Sequence, residues 1–192
     1  MARPLSFDPT QKLHQAMLLF WRNGYEGTSI NSLINELDIN RFSLYSQFGD
    51  KHQLYLKVLE HYNTVVYQPL LEPLRSGPAG KVAIDNYLEN FGKKVSGPHA
   101  AHGCLMQNTL MAGENVEVEF KQVLTKRVKE LRGLLRTNLQ AAKDQGQLQL
   151  SVRECLDFTL MTISALLMAR KSQGKEALSQ NVKFFRQTIK TW

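Results

Sequence analysis

The sequence predicts an all-α protein of about nine helices, with a three-helix N-terminal unit followed by a larger helical domain. Apolar residues recur at three- and four-residue spacing through most of the 192 residues, as helices with one buried face require. No segment shows the two-residue alternation of a half-buried β-strand, and no internal repeat stands out. Proline- and glycine-containing stretches divide the pattern into helix-sized segments.

The first two predicted helices are bounded by local start and stop signals. Gly24 follows an apolar run and can adopt the left-handed conformation that closes a helix, so the first helix should end at Asn23. Thr28 or Ser29 can cap the second helix through a side-chain oxygen. Four apolar residues give this short helix one buried stripe: Ile30, Leu33, Ile34 and Leu37.

The third predicted helix combines a small buried face with a polar and aromatic outer face. A turn over residues 38–40 should bend the chain, and the third helix should then run from Arg41 to Phe48. Leu44 and Phe48 are four residues apart and should face the core. Two short helices joined by a tight turn form a helix-turn-helix, although any small helical domain could show this spacing. The outward-facing residues suit contacts with DNA phosphates and base edges: Arg41, Phe42, Ser43, Tyr45, Ser46 and Gln47.

The remaining helices are predicted from apolar stripes between interruptions. A fourth helix should extend from Lys51 to about residue 66. Pro69, Pro73 and the cluster Ser76-Gly77-Pro78 should interrupt the helical pattern. Later helices are expected over about residues 81–95, 104–112, 116–143 and 152–171, with a ninth near the C-terminus. The long helix over 116–143 carries a basic stripe. A solvated face and a second nucleic-acid contact are the two interpretations of that stripe.

Composition limits the classes of protein that fit the chain. There is no 18-residue apolar stretch and no apolar signal-peptide region, so we expect no membrane partner and a cytoplasmic location. Two cysteines without a CxxC pair argue against a disulfide scaffold. The net charge is +7, yet residues 1–66 hold six basic and six acidic residues, so the excess lies in residues 67–192. A DNA-binding interpretation therefore depends on where individual basic side chains point.

Three short motifs of residues 24–51 carry a family resemblance. They are the run Gly-Tyr-Glu-Gly-Thr-Ser, the run Leu-Tyr-Ser-Gln-Phe and the following Gly-Asp-Lys. Because of these motifs, residues 8 to 60 resemble the N-terminal DNA-binding domain of the TetR/AcrR family of transcriptional regulators. The resemblance implies a helix-turn-helix domain over 1–50 (motif about 28–48), a connecting helix over about 51–66, and a C-terminal effector-binding and dimerisation domain over 67–192.

The resemblance also implies which side chains contact a double-stranded DNA operator. Thr28, Tyr45 and Lys51 correspond to phosphate-contacting positions. Phe42 and Gln47 depart from the commonest family pattern, in which a small residue and a histidine are frequent, so the operator sequence stays open. The complete expected DNA-binding set is Thr28, Ser29, Arg41, Phe42, Ser43, Tyr45, Ser46, Gln47 and Lys51.

The last two helices resemble an association surface. The helix over 152–171 is apolar nearly all round, and the ninth carries apolar residues at alternating four- and three-residue spacing. Because the family resemblance implies a homodimer, we expect a four-helix interface with two helices from each subunit; packing within one chain is the alternative. Two-fold pairing matches a palindromic operator. The expected interface residues are Leu160, Leu167, Leu178, Val182, Phe185 and Ile189.

A small-molecule effector is implied by the resemblance, although the sequence does not identify it. Aromatic and methionine side chains form adaptable pocket walls, so several such residues and their polar neighbours are candidates. Each could equally be packing. The candidate effector-binding residues are Tyr62, Tyr87, Phe91, Cys104, Met106, Asn108, Phe120 and Met161.

Cys104 also supports an alternative mode of control. The run Gly-Cys-Leu over 103–105 resembles a run in TetR-like regulators, some of which sense electrophiles or oxidants through a cysteine. A helix start at Cys104 and the nearby His102 would favour the reactive thiolate; a small packed residue is the competing interpretation. His99, His102 and Cys104 have no clear fourth ligand and fit no established spacing, so neither a metal site nor a cofactor is expected.

An enzyme and a protein-interaction module are the competing function classes. The chain contains no GxGxxG, P-loop, HExxH or serine-elbow motif, so we do not expect an enzyme. An interaction module does not account for Arg41, Tyr45 and Lys51 displayed together. The expected function is a sequence-specific DNA-binding regulator, by family default a repressor, that an effector releases from its operator.

Overall fold

The computed structural model describes residues 7–112, 117–169 and 172–192, and its secondary structure there is entirely helical. A π-helical turn, Asn63–Tyr67, joins the fourth helix to the fifth, and a 3₁₀ turn, Ala100–His102, precedes the seventh. None of these helices is both long and apolar enough to cross a lipid bilayer. Ten α-helices occur in the described ranges: α1 (Pro9–Asn23), α2 (Ile30–Leu37), α3 (Arg41–Phe48), α4 (Lys51–Tyr62), α5 (Gln68–Ser76), α6 (Lys81–Val95), α7 (Leu105–Leu110), α8 (Val118–Asp144), α9 (Val152–Ala169) and α10 (Lys175–Lys190).

Side-chain caps fix the ends of the N-terminal helices. The predicted end of α1 is confirmed, and Gly24 behind it has φ of 77°. Ser29 and Ser32 form a reciprocal capping box at the start of α2. The Asn40 side chain accepts a hydrogen bond of 2.8 Å from the Ser43 backbone N–H, which confirms the predicted start of α3. Local polar signals therefore set the bounds of the helix-turn-helix.

Two hydrophobic clusters form the core. The first joins α1–α4 to α7 and the beginning of α8, and the second joins α5, α6, α9, α10 and the rest of α8. Phe120 on α8 packs edge-on against Tyr55 of α4, with ring centroids 4.9 Å apart. The division into domains at residues 50 and 66 stays a prediction, because later helices also contribute to the first cluster.

The predicted interruption at Pro69 and Pro73 is wrong. Pro69 lies in the first turn of α5, where a missing N–H has no cost, and Pro73 is accommodated inside the helix. Leu71 and Leu74 of α5 are buried in the second cluster, and this burial stabilises the helix despite its prolines. The expected start at residue 116 and the expected end at residue 171 lie outside the described residues. α7 is also shorter than predicted at both ends.

The apolar stripe of α10 packs inside the chain against α6, and its role in a dimer interface stays a prediction. Its side chains meet α6, where Gly92 is so close that an added Cβ would lie 2.9 Å from Val182 Cγ1. Arg186 donates hydrogen bonds of 2.8 and 2.9 Å to the two carboxylate oxygens of Asp85 on α6. The intramolecular alternative therefore holds for four of the six expected residues: Leu178, Val182, Phe185 and Ile189.

Candidate nucleic-acid interface

The outer face of α3 is held towards solvent by two buried anchors on its inner face. Leu44 is fully buried, and Phe48 is 3% exposed. On the outer face Phe42 is 82% exposed, and Tyr45 is 42% exposed. Both rings are therefore accessible from solvent on the outer face of α3.

Arg41 begins α3 and is oriented by the preceding helix. Its Nη2 donates a hydrogen bond of 2.8 Å to Oδ1 of Asn31 on α2. A guanidinium has five N–H donors, so this bond positions the group without exhausting its capacity for a base edge or a phosphate. Ser43, Ser46 and Gln47 lie on the same helix, with Ser46 exposed and the other two partly buried.

Lys51 lies at the start of α4, close to the helix-turn-helix. Its ammonium sits 4.3 Å from the centroid of the Tyr25 ring, a cation–π contact that orients the charge. Burial, with a smaller contribution from the Glu117 carboxylate, raises the pKa of Tyr25 to about 12. The phenol therefore stays neutral at physiological pH and does not form an ion pair with Lys51.

Thr28 and Ser29 are placed differently from the expectation that both reach DNA. Thr28 is fully buried, and its hydroxyl donates a hydrogen bond of 2.7 Å to the Gly24 carbonyl. That side chain is committed to closing the turn between α1 and α2, so it is not presented to a phosphate. Ser29 is exposed, but its hydroxyl accepts the N-capping bond from the Ser32 backbone N–H at 3.0 Å.

A second exposed surface occurs on α9 and α10. Leu160 and Leu167 of the expected interface are partly buried against the chain's own core. The side chains that face solvent are different ones, and Met161 is 72% exposed although it was expected to line the effector pocket. Sequence spacing does not distinguish the two sides of a nearly all-apolar helix. We refer to the exposed apolar set as the α9/α10 face: Phe158, Met161, Met168 and Phe184.

The expected effector-binding residues do not surround one pocket. Tyr87 and Phe91 belong to the second cluster, whereas Tyr62, Met106 and Phe120 belong to the first. Burial raises the pKa of Tyr87 far above its usual range.

Cys104 lies just before α7 and is partly buried. The Tyr62 hydroxyl donates to its Sγ at 3.8 Å. Nearby, the Asn108 amide donates a hydrogen bond of 2.6 Å to the His102 carbonyl. Cys104 and Asn108, both expected to bind an effector, are therefore engaged in local contacts.

A cavity of about 190 Å³ lies between α1, α4, α7 and α8. Its wall includes Tyr55, whose hydroxyl shares a hydrogen bond of 2.7 Å with Thr109. Burial raises the pKa of Tyr55 to about 12, so this hydroxyl stays protonated. A second cavity, of about 310 Å³, lies between the π turn and the end of α6 and contains no predicted effector-binding residue. The smaller cavity contains Asn108 and Phe120 of the predicted set and is lined by Asn23, Tyr25, Glu26, Gly27, Tyr55, Asn108, Thr109, Ala112, Glu117 and Phe120.

Known proteins resemble the chain both in sequence and in structure. Residues 13–58 match the family described as bacterial regulatory proteins, tetR family. The chain is 30% identical over 148 residues to YezE of Bacillus subtilis, an uncharacterized HTH-type transcriptional regulator, covering 77% of this chain and 76% of that protein. It is 31% identical over 105 residues to the HTH-type transcriptional repressor BdcR of Escherichia coli, covering 54% of this chain and 53% of BdcR.

A solved structure extends this similarity over the whole chain. It is a cysteine mutant of the TetR family transcriptional regulator CifR complexed with 26-bp double-strand operator DNA. The two structures align with a TM-score of 0.80 at 25% sequence identity, covering 99% of this chain and 100% of that chain. The similarity therefore includes the helices beyond the matched N-terminal segment.

Proposed function

The chain belongs to the TetR family of bacterial DNA-binding transcriptional regulators, and from this premise we propose that it is a dimeric repressor of a palindromic operator. The observation that carries the proposal is the outer face of α3, where Phe42 and Tyr45 project into solvent beside Arg41. The CifR complex with operator DNA and the name of BdcR as a repressor support it.

The proposed contacts divide into base-reading and phosphate-positioning groups. Arg41 and Phe42, at the start of α3, are assigned to base edges, where a guanidinium recognises guanine and an aromatic ring contacts a thymine methyl. Tyr45 and Lys51 are assigned to the phosphate backbone, because the family resemblance implies phosphate contacts at these two positions. Thr28 is assigned a structural role, since its hydroxyl is buried. The flanking polar contacts are assigned to Ser29, Ser43, Ser46 and Gln47.

Dimerisation is proposed to use the α9/α10 face. Four large apolar side chains on two adjacent helices are exposed in the isolated chain, and pairing two copies would remove them from water. The residues expected from the stripe of α10 are buried in the chain, and we therefore assign the interface to the exposed set instead. A closed two-fold dimer would present two α3 helices to the two half-sites of a palindrome.

Effector control is proposed to act through the cavity of about 190 Å³ between α1, α4, α7 and α8. Its wall joins residues of the N-terminal unit to Thr109 on α7 and Phe120 on α8. A small aromatic or hydrophobic molecule bound there would contact both parts of the chain. If the molecule binds one conformation of the chain more tightly than another, it shifts the position of α3. A coupling free energy of about 1–3 kcal/mol between effector binding and DNA binding suffices to change operator occupancy.

The function is tested by selecting double-stranded DNA from a random pool with the purified protein and sequencing the retained fragments. We expect one enriched palindromic site. Lys51→Ala should weaken binding to this site and to unrelated DNA alike, and reduce the salt slope by about one unit. Arg153→Ala, on α9 with an 88% exposed side chain, is the control and should leave the slope unchanged. Absence of any enriched sequence would refute the proposal.

A further inference from the structure

Three metal-binding side chains meet where α4 lies against the beginning of α8. His52 is in the first turn of α4, Glu117 directly precedes α8, and Glu119 is in its first turn. His52 Nε2 lies 2.9 Å from Glu119 Oε2, and His52 Nδ1 lies 3.8 Å from Glu117 Oε2. One ligand atom from each residue lies within 4.8 Å of the other two. The His52 ring is held edge-on by Phe120, with centroids 4.9 Å apart.

An ordinary ion pair does not account for the position of His52 Nε2. The atom is covered from solvent, and no hydrogen-bond partner for it exists among the described residues, although Glu119 Oε2 is only 2.9 Å away. The carboxylate oxygen therefore lies away from the direction in which an N–H would point, and hydrogen bonds weaken steeply with such misalignment. A protonated imidazole would be expected to align with at least one of its two carboxylates.

Two ligands of one cation have this arrangement: the two atoms lie close together, but neither is aligned for a hydrogen bond to the other. The nitrogen lone pair and the carboxylate then point at the ion rather than at each other. With both ligand atoms about 2.1 Å from a tetrahedral Zn²⁺, their separation is about 3.4 Å. The distance between His52 Nε2 and Glu119 Oε2 here is 2.9 Å.

We propose that His52, Glu117 and Glu119 form a binding site for a divalent transition-metal ion of the Zn²⁺ type. Imidazole together with carboxylates suits zinc, cobalt or nickel, whereas calcium and magnesium prefer a shell of oxygens. Two carboxylates balance the charge of the ion. Three protein ligands leave one tetrahedral position for water.

The ion joins the N-terminal unit to the long helix α8. Its ligand His52 is adjacent to Lys51, and the carboxylate of its ligand Glu117 helps to raise the pKa of Tyr25, on whose ring the Lys51 ammonium sits. Occupancy of the site therefore fixes the first turn of α4 against α8. Metal binding itself does not depend on the proposed repressor function and is measured without DNA.

The test uses the full chain after dialysis against a chelator, titrated with Zn²⁺ by calorimetry and with Co²⁺ by visible absorption. We expect one ion for each chain to be lost or bound at least tenfold more weakly in His52→Gln and in Glu119→Gln. Glu119 is the more exposed of the two carboxylates, so its amide variant should fold like the parent. Circular dichroism of each variant confirms this.

His61→Gln is the matched control, because His61 lies in the same helix but faces His14, with Nδ1 of His14 3.2 Å from Nε2 of His61. It should bind the ion like the parent. The proposal is overturned if the parent binds neither ion, if His52→Gln and Glu119→Gln bind as tightly as the parent, or if His61→Gln loses the same site.

Discussion

Two neighbouring phenylalanines on α10 should have opposite roles. Phe184 is 70% exposed, whereas Phe185 is 2% exposed and packs edge-on against the Phe158 ring at 5.7 Å. If the α9/α10 face forms the dimer, Phe184→Ala should weaken dimerisation. Phe185→Ala should instead destabilise each folded chain.

The expected magnitudes follow from burial. Phe185→Ala leaves a cavity in the second cluster and should lower the free energy of unfolding by about 3–5 kcal/mol. A phenylalanine side chain offers about 200 Å², so burying the exposed part of Phe184 at about 25 cal/mol per Å² contributes about 3 kcal/mol per subunit. Even half of that value, lost from both subunits, gives about 3 kcal/mol and raises the dimer Kd by about 100-fold.

Sedimentation equilibrium measures the dimer Kd, and urea unfolding at several protein concentrations separates folding from association. Phe184→Ala should shift the Kd and make the unfolding midpoint fall at low concentration. Phe185→Ala should lower the midpoint at every concentration. A Phe184→Ala protein that associates like the parent would place the dimer interface elsewhere. Unchanged stability of Phe185→Ala would refute its assignment to the core.

Three further substitutions test individual contacts. Arg41→Ala should lower affinity for the selected operator by about 1–3 kcal/mol and relax one base position, measured by fluorescence anisotropy, whereas the control Arg153→Ala, at an 88% exposed side chain, should bind like the parent. Thr28→Val should cost about 1 kcal/mol in unfolding free energy, because the Gly24 carbonyl loses its donor, while operator affinity at a fixed salt concentration stays constant; an affinity lowered by about 1 kcal/mol would restore the phosphate role. Hydrogen bonds from Arg186 hold the pKa of Asp85 below its ordinary value, so the pair stabilises fully above the unfolded pKa and loses its contribution as pH falls below about 4. Thermal unfolding between pH 5 and 3 should therefore depend less on pH in Asp85→Asn, and equal pH dependence in both proteins would contradict this.

Sequence reasoning succeeded where structure is determined by neighbouring residues. The bounds of α3 and α6 agree with prediction, because an Asn40 cap or a following Ser-Gly-Pro stretch acts over one helical turn. The burial of the Thr28 hydroxyl was not predicted, because a motif gives the position of a residue but not the direction of its side chain.

Features that depend on distant parts of the chain could not be predicted in the same way. The apolar stripe of α10 could pack against a second subunit or against α6. Only the folded chain shows that Gly92 lets α6 approach Val182 of α10 closely. The cavity between α1, α4, α7 and α8 is lined by residues from Asn23 to Phe120, and no local pattern connects them. For the same reason, His52 and Glu119 carried no metal-binding spacing that could be recognised in the sequence.

The π turn over Asn63–Tyr67 changes the direction in which side chains face between α4 and α5. A π turn holds one residue more than an α-helical turn of the same rise, so every side chain beyond it is rotated by about 100° relative to an unbroken α-helix. Leu71 and Leu74 of α5 lie in the second cluster, whereas the apolar face of α4 packs in the first. Removing a single residue from this turn would join α4 and α5 into one regular α-helix and rotate Leu71 and Leu74 by about 100° relative to α4. The length of the chain between the two clusters is therefore as strictly constrained as the identity of the side chains that fill them.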